Sequence, residues 1–160
     1  MTSDPKRIAI LLADYLAGPQ VLSNAVSGLT EKQLLARPVP GKWSVHEVVC
    51  HLSDCEVLYV DRMKRVIAEE RPTLMNVDPD LHVSALARPE RNIDEELLLV
   101  ETIRKHMARI LQTVQPADFQ RVGMHSQDGP LTLETLLSRI TGHIPHHARF
   151  IGEKRVAMGL

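Results

Sequence analysis

The stretch SVHEVVCHLSDCEVLYVDRMKRVIAE, from Ser44 to Glu69, decides the fold. Val45, Val48, Val49, Leu52, Leu58, Tyr59, Val66 and Ile67 supply the apolar positions of a long helix. Ser44 followed by Glu47 is a capping-box pattern, in which the serine oxygen and the glutamate each satisfy a backbone N–H that the first turn leaves without a partner. The same periodicity extends outward. Upstream, Ile8, Leu11, Leu12, Tyr15, Leu22 and Val26 predict a helix from about Lys6 to Leu29, which Gly18-Pro19 should kink or split. Downstream, a third helix begins near Asn92, with Glu95 as a second capping pair, and ends before Pro116. A fourth starts near Thr132 and continues to about Lys154. Between the second and third lies RPTLMNVDPDLHVSALARPE, residues 71–90, rich in proline and short on regular pattern. A connection of that length inside one domain is unusual and often functional. An extended piece around Arg121–Gly123 is the one strand candidate. The expected fold is all-α: a four-helix bundle with a long crossover connection between the second and third helices, forming one domain over residues 1–160.

Composition narrows the function. With 160 residues, 44% of them hydrophobic, the chain can bury a core without disulfide staples. A net charge of −1 and 3% aromatic residues leave neither a basic footprint nor a stacking platform for nucleic acid. No apolar run reaches membrane-spanning length, and the start MTSDPKR leads into a helix carrying Asp14 rather than into a signal peptide. Cys50 and Cys55 lie on one helix with α-carbons roughly 8–9 Å apart, too far for a disulfide. Reduced thiols fit a cytoplasmic protein.

Three of the eight histidines carry the chemistry. His51 sits among Val48, Leu52, Cys55 and Leu58, mostly on the buried side of its helix. His143 and His147 are spaced i, i+4 in GHIPHHARF, so both imidazoles can reach one point in space. Three neutral imidazoles converging inside a bundle make a tripod for a divalent transition metal, with a coordination position left over. His143 with His146 is the rival pair, at i, i+3. Pro145 between them removes a hydrogen bond to the Thr141 carbonyl and should kink the helix, or mark the start of a new one. No HExxH motif is present, which speaks against a zincin-type protease. His46, His82 and His106 read as satisfied core or exposed histidines.

GKWSVHEVVCHLSDCE, residues 41–56, resembles the W-x7-H-L-x-D-x-E signature of the DinB/YfiT-like superfamily of metal-binding four-helix bundles. DRMKRVIAEERPTL continues in register, and RVGMHSQDGPLTLETLL followed by GHIPHH resembles that family's stretch before its H-x3-H. The likeness runs from about Pro19 to Ile151. It implies metal ligands at His51, His143 and His147; Pro145 departs from the family pattern. It also draws attention to Trp43, as bundle-end packing or pocket wall, and to His125, as a pocket acid/base or an exposed loop residue, with exposure favoured. Asp54 reads either as a carboxylate orienting a ligand imidazole or as a surface group near Arg62 or Lys64.

The resemblance implies a small-molecule enzyme using zinc, or nickel in its place, and allows a homodimer. The first expectation is an S-transferase that uses a low-molecular-weight thiol of the bacillithiol, mycothiol or glutathione type in detoxification. Metal-dependent hydrolysis is the second, and a non-catalytic, stress-related metal-binding protein the third. No catalytic acid or base is assigned. The fourth coordination position is expected to be open rather than filled by a side chain. Cys50 is rotated about 100° from His51, and His146 about 60° from His143, on an ideal helix. Asp54 is the nearest rival donor.

Overall fold

The computed structural model describes residues 3–160. Four long helices form the bundle: α1 (Pro5–Val26), α3 (Val45–Ala68), α5 (Ile93–Leu111) and α6 (Leu133–Ala157). Two short helices, α2 (Glu31–Leu35) and α4 (Pro79–Leu86), lie in the connections. α1 packs on α5 and α6, and α3 packs on the same two helices. Successive long helices α1 and α3 therefore face each other across a diagonal, as do α5 and α6. The caps fall where the sequence puts them. Ser44 Oγ accepts the Glu47 N–H at 3.1 Å and the Glu47 carboxylate accepts the Ser44 N–H at 2.7 Å. Asn92 accepts the N–H groups of Asp94 and Glu95, and Thr132 accepts that of Thr135.

The long 71–90 connection is more regular than its composition suggests. It holds strand β1 (Thr73–Leu74) and α4, whose N-cap is Asp78. β1 pairs in parallel with β2 (Val122–His125), which pairs antiparallel with β3 (Gly129–Thr132). The extended piece expected at Arg121–Gly123 is thus one strand of a three-stranded sheet beside the helices. Gly129, at φ +74°, closes the β2–β3 turn in a conformation that disfavours side-chain-bearing residues. The sheet register sets His125 opposite both Leu74 and Gly129, next to the helix bundle.

Neither proline breaks its helix. Pro19 lies inside a continuous α1, so the split expected at Gly18-Pro19 does not occur. A proline cannot donate to the carbonyl four residues back, and for Pro19 that carbonyl belongs to Tyr15. Arg104 Nη1 donates to it instead, at 2.8 Å. Arg104 Nη2 donates to the Ile140 carbonyl at 2.8 Å, beside the Thr141 carbonyl that Pro145 cannot reach with an N–H. α6 is likewise continuous through Pro145. One fully buried guanidinium thus serves both proline-bearing helices while pairing with fully buried Glu56.

Gly18 makes room for that arrangement. A Cβ at position 18 would stand 2.0 Å from Arg104 Nη1 and 3.0 Å from Cζ. Gly18→Ala is expected to destabilise the fold by about 1–3 kcal/mol, measured by chemical denaturation, because the guanidinium can retreat only by giving up its bonds to Glu56 and to the Tyr15 and Ile140 carbonyls. A variant as stable as wild type would show that Arg104 is not held by its contacts.

Candidate metal centre

α3 carries His51 on its inner face and α6 carries His143 and His147 one turn apart. The bundle brings the three rings together: their centroids are 4.7–5.0 Å from one another. His51 Nε2 and His143 Nε2 stand 3.2 Å apart. Two nitrogens bound tetrahedrally to one zinc-sized ion stand about 3.3 Å apart, so this spacing fits a shared cation. The Nδ1 atoms of His143 and His147 are buried and meet no protein partner.

The electrostatics agree with a neutral donor set. Burial, reinforced by the neighbouring imidazoles, pushes His143 down to about 3 and His147 down to about 4. Burial also lowers His51, against a small opposing pull from Asp54. All three are therefore neutral at pH 7, the form that ligates metals. Trp43 covers the far side, with its ring centroid 4.9 Å from His51 and stacked within 8° of the His147 plane.

The model of the DinB superfamily matches residues 15–151. The chain belongs to that superfamily. A protein of Oceanobacillus iheyensis named "putative metal-dependent hydrolase" is 28% identical over 133 residues, covering 83% of this chain and 77% of its own. Among solved structures, YfiT from Bacillus subtilis, described as a "probable metal-dependent hydrolase with an unusual four-helix bundle topology", superposes with a TM-score of 0.91 at 24% identity. That match covers 99% of this chain and 91% of YfiT. A mycothiol-dependent maleylpyruvate isomerase superposes with a TM-score of 0.72 at 14% identity, covering 95% of this chain and 64% of its own. The two structures establish likeness of fold.

Within this DinB-superfamily bundle, the rival donors weighed from sequence point elsewhere. Asp54 neither orients His51 nor meets Arg62: both its oxygens accept from Arg91 at 3.0 Å. Arg91 also binds Glu96 and Ser53, and its carbonyl lies 3.0 Å from His46 Nε2, so it ties the end of the long connection to α3 and α5. Cys50 is buried against His46 Nδ1 at 3.7 Å. His146 is exposed, with Nδ1 3.1 Å from Arg149. Trp43 both packs on the apolar cluster around Val49 and Ile144 and lines a cavity with His147 and Phe150.

Two residues read differently in the structure. His125 is buried, not exposed: strand pairing draws it against the bundle, and it faces a cavity of about 260 Å³ that also reaches His51 and His143. Cys55 is the donor that sequence reading passed over. Its Sγ lies 3.7 Å from His51 Nδ1, and it joins His51 and His143 in one cluster of candidate ligand atoms within 4.8 Å, whereas the ligand nitrogens of His147 lie outside that cluster and its ring centroid stands 4.7 Å from that of His143. The i, i+4 spacing from His51 was the signal. Burial pushes its thiol up to about 12, so without a cation beside it Cys55 is protonated at neutral pH.

The depressed histidines set an acid limit on the metal-free fold. Each titrates near 6.5 when unfolded and well below that when folded. The unfolded chain therefore binds more protons between these values, and stability present above about pH 6.5 declines as pH falls toward about 4. With chelator present, the loss should approach about 1.4 kcal/mol per pH unit for each titrating histidine. Urea denaturation across this range checks it, and a flat profile would mean the rings are hydrated.

Proposed function

We propose that His51, His143 and His147 hold one divalent transition metal, zinc first and nickel as the rival, and that the protein is a metal-dependent enzyme acting on small molecules. The observation that carries this is the convergence of three neutral, mostly buried imidazoles, two of which, His51 and His143, line a cavity of about 260 Å³. Held by these residues, a divalent metal would supply Lewis acidity and would lower the pKa of a bound water or thiol. The chain supplies the rest. Trp43 and the apolar cluster behind it keep the imidazoles oriented and shielded on one side. On the other side, Asn76, Val77, Pro79 and His82 from the 71–90 connection form the mouth of the cavity, which limits it to small reactants.

We favour transfer of a low-molecular-weight thiol to an electrophile. The likeness in fold to a mycothiol-dependent enzyme supports that reading. Hydrolysis is the second reading, favoured by the hydrolase names of relatives such as the Oceanobacillus protein. Chlorodinitrobenzene offered with bacillithiol, mycothiol or glutathione separates the two. Conjugation that needs both the protein's metal and one of these thiols, and returns to the uncatalysed rate on chelation, is the expected result. Metal-dependent cleavage of nitrophenyl acetate without any thiol would put hydrolysis first. Neither activity in metal-loaded protein would leave a non-catalytic metal protein.

A further inference from the structure

The cavity beside His51 and His143 has a second wall that metal binding does not account for. Arg62 lines it and is only 6% exposed, yet it forms no ion pair among the described residues. Nη2 donates to the Met75 carbonyl, and the guanidinium lies 5.2 Å from the Tyr59 ring centre. Nε is buried and unpartnered, and no protein acceptor meets Nη1. A buried guanidinium with N–H groups left over is expensive unless an anion completes it.

His125 stands on the same wall. Its Nδ1 accepts the backbone N–H groups of Asp128 at 3.2 Å and Gln127 at 3.4 Å. That fixes the tautomer: the proton is on Nε2, which meets no protein acceptor and makes His125 a neutral donor. The two carboxylates lining the cavity are already committed. Asp54 is held by Arg91, and Asp128 by Arg139. One uncompensated cation and one neutral donor suit a single negative charge on a planar group.

We propose that Arg62 and His125 form a carboxylate-binding subsite on the wall of the cavity beside His51 and His143, so that a reactant is an organic acid held by its carboxylate next to the histidine cluster. A phosphate dianion would need more positive charge than this wall offers. The catalytic meaning of the subsite rests on the metal-enzyme reading above, whereas its binding does not.

Calorimetric titration of the full chain, as purified, with benzoate, benzamide and inorganic phosphate tests it, with metal content measured in every sample. Benzoate should bind, benzamide at least tenfold more weakly, and phosphate no better than benzamide. Arg62→Gln should weaken benzoate tenfold or more, since a hydrogen bond to a charged group is lost, and Arg62→Lys should recover part of that. His125→Phe should weaken benzoate several-fold, and His125→Gln, which keeps a donor, by less. Metal content should stay at the wild-type level in all four, which excludes a benzoate bound only to the metal. Should Arg62→Gln fail to fold, Arg62→Lys and His125→Phe carry the comparison. Benzoate binding equally well to wild type and to folded Arg62 variants would overturn the subsite, as would a preference for benzamide or phosphate. Arg62-dependent benzoate binding by a protein that carries no metal would retain the subsite and remove the metal reading instead. Para-mercaptobenzoate tells which reactant carries the acid. Arg62-dependent binding tighter than benzoate assigns the carboxylate to the thiol, and equal Arg62-dependent binding assigns it to the other reactant; both uphold the subsite.

Discussion

Glu56→Ala is expected to cost about 3–5 kcal/mol, the effect of stranding a fully buried charge without its partner. Domains of this size have only about 5–15 kcal/mol to lose, and the fall in Tm should be on the order of 10 °C. Arg104 and Glu56 are both 0% exposed, with Arg104 Nε donating to Glu56 Oε1 at 2.8 Å and the Tyr15 hydroxyl donating to Oε2 at 3.3 Å. A double variant, Glu56→Leu with Arg104→Met, tests why the pair exists. An ion pair alone would be replaced by apolar groups at little cost. Arg104, however, also serves the Tyr15 carbonyl, which Pro19 deprives of its helical donor and the double variant would leave unsatisfied, and it adds a second bond at the Ile140 carbonyl. It should therefore stay about 1–3 kcal/mol below wild type. Glu56→Ala within about 0.5 kcal/mol of wild type, the range of an ordinary surface substitution, would refute a central role for this network.

The second large effect concerns the three imidazoles. Replacing any one of His51, His143 or His147 by alanine should weaken metal binding by more than the roughly 10–100-fold seen for residues that only support a ligand. Chelator competition measures it. Because each ring is neutral in the fold, none contributes through charge, and the three losses should be similar in size. His146→Ala should leave affinity unchanged, since that ring is exposed and turned toward Arg149. A large loss on His146→Ala with none on His147→Ala would move the pair to i, i+3. Cys55→Ser discriminates further: retained affinity leaves a three-histidine site, and a loss comparable to His143→Ala makes Cys55 the fourth donor.

What was legible in the sequence was local. The long helices follow from periodicity, and the caps at Ser44, Asn92 and Thr132 from side chains that bond N–H groups two or three residues away. His143 and His147 were readable as a pair because their spacing alone places them on one face. The misses needed distant partners. β1 is two residues long, too short for a pattern, and exists because parallel pairing with β2, legible only as an extended piece around Arg121–Gly123, joins segments some fifty residues apart. That pairing also buries His125. Gly18-Pro19 reads as a break until Arg104, from another helix, fills the Tyr15 carbonyl. Asp54 lies within a turn of His51, yet its partner is Arg91, far along the chain.

X-ray absorption at the metal edge, on wild-type protein purified at neutral pH without chelator or a histidine tag, reads the donor set of the histidine cluster itself. About one divalent transition metal per chain is expected, with three imidazole nitrogens at about 2.0–2.1 Å and any sulfur at about 2.3 Å confined to a single Cys55 contribution. A protein free of metal, or a shell with fewer than three imidazoles, would contradict the three-histidine site.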